Sequence, residues 1–106
     1  MDKQIPFLDQ IIKTIVSMVA PDKIILFGSY ARGNYDKNSD IDILILKKGL
    51  KNEREITNNL YMEFFNKKIS IPIDIIATDY EKYNRLSNDI GYIYKTVKQE
   101  GKVIYG

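Results

Sequence analysis

The sequence predicts an α/β (α+β) fold, one small β-sheet with about four α-helices packed against it. Two patterns carry this expectation. Apolar runs of strand length recur at 23–27, 40–46 and 73–77, and segments with apolar residues at helical spacing lie before, between and after them. The size agrees: 106 residues, 44% apolar and 28% charged, make one soluble domain over 1–106 with a single core. The order reads αβαβαβα, with no repeat, linker or low-complexity stretch.

In the first helix, Leu8, Ile11, Ile12, Ile15 and Val19 fall at i, i+3, i+4, i+7 and i+11, and Ala20-Pro21 closes the segment. The first strand is Lys23-Ile24-Ile25-Leu26-Phe27, and Gly28-Ser29 follows it directly. Residues 40–46 form the second strand, ended by Lys47-Lys48-Gly49. Asn52 is placed to cap the next helix, whose Glu53 and Glu55 suit the positive end of its dipole. Ile56, Leu60 and Phe64 form the buried stripe of that helix, and Lys67-Lys68 suit its other end. The third strand spans 73–77. Asp79 is expected to cap a short helix through Leu86, and Ser87-Asn88-Asp89 breaks the chain again. Ile90, Ile93, Tyr94 and Val97 repeat the helical spacing up to Gly101, and 102–105 add a short final strand.

Composition removes several kinds of chemistry. The chain has no Cys, which excludes disulfides, thiolate catalysis and cysteine-ligated zinc. It has no His, the usual general base at neutral pH and the commonest transition-metal ligand. Carboxylates, hydroxyls, Lys and Arg remain, together with hard metals. A net charge of +2, with thirteen of sixteen basic residues being scattered lysines, argues against a nucleic-acid surface. No secretory signal pattern or membrane-length apolar run is present, so no membrane attachment is expected.

The stretch GSYARGNYDKNSDID, residues 28–42, concentrates the chemistry. Asp40 and Asp42 lie two apart at the head of a strand and should project from one face, leaving Ile41, Ile43 and Ile45 for the core. Two adjacent carboxylates beside an apolar sheet call for a positive partner, and Mg²⁺ takes one or two carboxylates plus substrate phosphates. A Gly-Ser pair at a strand end allows close backbone approach and offers a hydroxyl and N–H groups to an anion. Arg32, three residues beyond Ser29, would share its face and reach a phosphate, unless it pairs with Asp36 or another nearby acid. Tyr30 is expected to pack on the sheet, and nothing but proximity argues for Lys37 or Asn38. Asp74 stands alone among Ile71, Ile73, Ile75 and Ile76, where an unpaired buried charge would be costly. It is either a functional ligand or a strand-end acid that reaches solvent.

GSYARG followed by SDIDILI resembles the G-S-x10-D-x-D signature of the DNA polymerase beta-like nucleotidyltransferases, and most closely their minimal (MNT) members. The resemblance covers most of the chain and implies the family's mixed sheet. It implies Asp40, Asp42 and Asp74 as catalytic and metal-binding residues for two Mg²⁺ ions. Asp74 becomes the third carboxylate and the acceptor of the substrate proton, and Ser29 with the Gly28 backbone grips the β/γ-phosphates of ATP. The implied reaction is transfer of AMP to a hydroxyl with loss of pyrophosphate, through the two-metal arrangement for in-line displacement. The chain is also similar to the antitoxins of HEPN–MNT toxin–antitoxin pairs, of type VII-like behaviour, which act from the cytoplasm and add AMP to a tyrosine of a helical HEPN toxin; the resemblance thus implies a cytoplasmic protein. The acceptor is then brought by that partner or across an oligomer interface. Two alternatives stay open: a small-molecule, aminoglycoside-like nucleotidyltransferase, and a non-catalytic module that neutralises its partner by binding. Three acids aimed at one point favour the enzymes.

Overall fold

The computed structural model describes residues 5–89 and 93–106. The expected stripe residue Ile90 lies outside the described residues. The elements are α1 (Leu8–Val19), β1 (Lys23–Phe27), α2 (Gly28–Arg32), β2 (Ile41–Lys47), α3 (Glu53–Asn66), β3 (Ile73–Asp79), α4 (Tyr80–Leu86), α5 (Ile93–Glu100) and β4 (Lys102–Tyr105). The strands form one mixed sheet in the order β3-β2-β1-β4. β1 runs antiparallel to both β2 and β4, and β2 pairs parallel with β3 across the α3 crossover.

Both faces of this sheet are covered, which explains why β2 reads as an almost unbroken apolar run. On one face Ile24, Leu26, Ile41, Ile43, Ile45, Ile75 and Ala77 meet the stripes of α1 and α3. On the other, Ile25, Phe27, Leu44 and Leu46 pack with Tyr83 of α4 and with Tyr94 and Val97 of α5. Asp42 and Asp74 share the parity of Leu44 and Ile76, so they belong to this second face, at the end where β2 and β3 begin.

Most local signals act as their chemistry suggests. Ala20 ends α1 in the left-handed region and donates its N–H to Val16 O at 3.0 Å. Asp79 caps α4, accepting from Lys82 N at 3.2 Å, and also accepts from Gly49 N at 2.7 Å. Tyr30 is buried and stacks on Tyr35, with ring centroids 4.3 Å apart. Asn52 departs from expectation. Its left-handed backbone (φ 58°) makes no side-chain cap, and only its carbonyl joins the helix, accepting from Ile56 N at 3.1 Å. Lys67 does more than face a helix end, since its Nζ donates to Thr14 Oγ1 of α1 at 2.9 Å. The second strand starts at Ile41, and a fifth helix, α2, completes the set.

β3 is an edge strand, and α3 satisfies part of its outer side. Tyr61, at the middle of α3, accepts from Ile75 N at 2.8 Å. Removing that hydroxyl with Tyr61→Phe should lower stability by about 1 kcal/mol, the net cost of one such bond. Urea unfolding of the two proteins measures this, and an unchanged midpoint would mean that water replaces the hydroxyl without loss.

Candidate active site

Three parts of the chain converge at the mouth of the second face. β1 ends at Phe27, whose partner across the antiparallel ladder is Asp42, so the next residue, Gly28, lies against the Asp42 side chain. Gly28 has φ +75°, and a Cβ there would run into Asp42 Oδ2 and stand 2.9 Å from Asp42 Cγ. Only glycine meets both demands, of backbone conformation and of space. Asp42 is in turn the direct register partner of Asp74. On neighbouring strands about 4.8 Å apart, two side chains of one face stand side by side.

These groups line a cleft of about 370 Å³, with Phe27, Gly28, Ser29 and Arg32 from β1 and α2, Asp42 and Asp74 from the sheet, and Ile93, Thr96 and Glu100 from α5. Gly28, Ser29, Arg32, Asp42 and Asp74, all singled out from sequence, therefore share one cleft. Asp40 does not line it. It is exposed, in the loop just before β2, although its charge still acts on Asp42. Asp74 is also exposed, so the burial cost that marked it in the sequence does not arise; its side chain is open to the cleft that it lines.

The electrostatics are those of crowded acids. Burial, then the neighbouring Asp74 and Asp40 carboxylates, push Asp42 up to about 6, against a smaller opposing pull from Arg32. A cation placed between Asp42 and Asp74 would relieve this conflict. Among the described residues, no three acids are gathered closely enough to enclose a metal ion by themselves.

Arg32 is anchored to neither Asp36 nor another acid of its own loop. Its Nη1 lies 2.9 Å from Glu100 Oε1, at the end of α5. Asp36 instead closes the loop on itself, accepting from Asn38 N at 2.8 Å while its own N–H donates to Ser39 Oγ at 2.9 Å. Lys37 and Asn38 are exposed and do not line the cleft. Sequence reasoning missed the α5 wall. Ile93, Thr96 and Glu100 lie at i, i+3 and i+7, a stripe distinct from the core pair Tyr94 and Val97, but spacing alone does not say what a second stripe faces.

One cleft thus joins the Gly28–Ser29 turn and Arg32 to paired carboxylates on a mixed sheet. The chain belongs to the nucleotidyltransferase domain family, whose model matches residues 8–104. It is 36% identical over 86 residues to a protein of Methanocaldococcus jannaschii inferred to be a protein adenylyltransferase, MJ0604, a match covering 78% of this chain and 77% of that protein. A second such protein of the same organism, MJ0141, is 59% identical over 34 residues, 32% of this chain and 34% of that protein. Among solved structures, a toxin–antitoxin with AMP-PNP is similar at TM-score 0.63 and 25% identity, covering 92% of this chain and 72% of that one. A mutant of the toxin–antitoxin MntA-HpeT shares the fold, with TM-score 0.65, 24% identity and 92% and 72% of the two chains covered. So does the structure of a Sulfolobus solfataricus protein inferred to be a nucleotidyltransferase, with TM-score 0.60, 22% identity and 91% and 74% coverage.

Two outcomes follow from this geometry. Gly28→Ala should cost about 1–3 kcal/mol through overpacking and should abolish nucleotide binding, because Asp42 must move to admit the methyl group. Thermal melting and calorimetric titration with ATP and Mg²⁺ check both parts, and binding at native strength would refute the close-approach account. Asp42 has a folded pKa raised above its ordinary value of 3.8, so its ionised form costs stability above about pH 6, and the cost fades as pH falls toward 3.8. Asp42→Asn should therefore stabilise the ligand-free protein at neutral pH by about 1–2 kcal/mol, allowing for solvent at the open cleft. That gain should shrink in acid, as urea unfolding at the two pH values would show; an equal gain at both would assign it to some other cause.

Proposed function

We propose that this chain is a metal-dependent protein adenylyltransferase, transferring AMP from ATP to a hydroxyl of a partner protein. The acceptor is a tyrosine of a helical HEPN toxin, which makes the chain the antitoxin of the pair. The observation that carries this reading is the cleft itself, which joins Gly28, Ser29 and Arg32 to the Asp42–Asp74 pair in a chain 36% identical to an inferred protein adenylyltransferase. The similarity to a toxin–antitoxin with AMP-PNP supports the partner and the nucleotide.

In this reading the phosphates of ATP rest on the Gly28–Ser29 backbone and the Ser29 hydroxyl, with Arg32 beside them. Asp42 and Asp74, with Asp40 at the rim, would hold Mg²⁺. When bound, that metal neutralises phosphate charge and lowers the pKa of the acceptor hydroxyl. Asp74, exposed to arriving groups, takes the hydroxyl proton. The hydroxyl oxygen bonds to the α-phosphorus as the bond to the bridging oxygen breaks, and pyrophosphate leaves. The cleft volume of about 370 Å³ is small, near the lower bound of about 300 Å³ for ligand clefts. It suits a nucleotide, with the acceptor presented from outside, as a partner protein would present a tyrosine.

Intact-mass spectrometry of the chain with a co-purified helical partner, after incubation with ATP and Mg²⁺, tests the proposal. Adenylyl increments are expected on the partner and should be lost by at least a hundredfold in rate in Asp42→Asn. A stable complex with no increment on either chain would instead favour neutralisation by binding, and transfer to a small hydroxylated compound would favour the small-molecule reaction.

A further inference from the structure

Arg32 is the only Lys or Arg among the described residues that line the cleft, and Glu100 already occupies it. The two residues are 68 positions apart and come from different elements, so their meeting is a product of the tertiary fold. Its geometry is fixed from the α5 side. Gly101 follows Glu100 and donates its N–H to Val97 O at 2.7 Å. A Cβ on Gly101 would press on that carbonyl and stand 2.6 Å from Ile25 Cγ2, so the end of α5 sits hard against β1. Glu100 is thereby held where its carboxylate meets a guanidinium extended from α2.

Glu100 adds a third negative charge to a cleft that already carries Asp42 and Asp74. It is unlike them in being placed on a helix and engaged by a cation. The pair is partly open to solvent, with side chains 45% and 27% exposed, and ion pairs of that kind are weak. A triphosphate offers the same guanidinium more oxygens and more charge than one carboxylate can.

We propose that Glu100 is a stand-in anion, which keeps Arg32 extended across the cleft before nucleotide binds and gives it up to the phosphates of an incoming nucleotide. This rests on the cleft being the nucleotide site. Glu100 then competes with substrate for one side chain and sets an upper limit on nucleotide affinity. That makes it a specificity element, since a ligand with fewer phosphate oxygens is less able to take Arg32 away.

Displacement of a fluorescent ATP analogue by AMP-PNP with Mg²⁺ tests this, because it reads weak binding as well as tight. Four proteins are compared: the native chain, Glu100→Gln, Arg32→Gln and the double variant. Glu100→Gln should tighten AMP-PNP binding about two- to fivefold, the scale of one exposed ion pair. In the Arg32→Gln background the same change should have no effect. Weaker binding in Glu100→Gln would make Glu100 a positioning residue for Arg32 and overturn the competition. No change, or an equal gain with and without Arg32, would overturn it as well, the latter by assigning the effect to bulk charge. Failure of the native chain to bind either nucleotide would instead remove the reading of the cleft itself.

Discussion

The approach of the Gly28 backbone to the Asp42 carboxylate is the constraint on which the rest of the site depends. It requires β1 to end where β2 begins, which the antiparallel register Phe27↔Asp42 secures. It also requires the chain to turn away at once through a positive φ, because a continued strand would cover the acid. α2 is the result of that turn, and it places Ser29 and Arg32 beside carboxylates that belong to the following strand. The β2–α3–β3 crossover brings Asp74 into register with Asp42. Two strand pairings of opposite sense thus bring three distant segments to one point.

This arrangement burdens the ligand-free protein. Asp42 is partly buried beside two like charges, with only the smaller pull of Arg32 in its favour. The sheet tolerates this because the apolar contacts around it are extensive: Ile41, Ile43, Leu44, Ile45 and Leu46 are fully or almost fully buried. A continuous apolar strand between two helical layers holds its first residues in place even when their side chains repel one another. Local strain held by a rigid scaffold is a common property of sites that await a charged ligand.

Much of this was legible in the sequence because the relevant chemistry is local. Gly28, Ser29, Asp40 and Asp42 lie within 15 consecutive positions, and strand parity alone separates the acids from Ile41, Ile43 and Ile45. Asp74 was legible for the wrong reason: its isoleucine neighbours suggested burial, yet it stands exposed at the start of β3. Asn52 shows that a residue suited to a cap in composition can be overruled by the backbone path into the helix. The Arg32–Glu100 pair and the α5 wall were not legible, since they depend on which face of the sheet a later helix chooses. No spacing within α5 encodes that choice.

α5 carries two stripes with separate duties. Tyr94 and Val97 anchor it in the core, whereas Ile93, Thr96 and Glu100 face the cleft. Replacements on the second stripe leave the first untouched, so the shape and charge of the rim can vary while the carboxylates keep their positions on the sheet. The carboxylates and the rim thereby belong to different layers of the molecule. A lineage built on this plan can change what it accepts without rebuilding how it reacts.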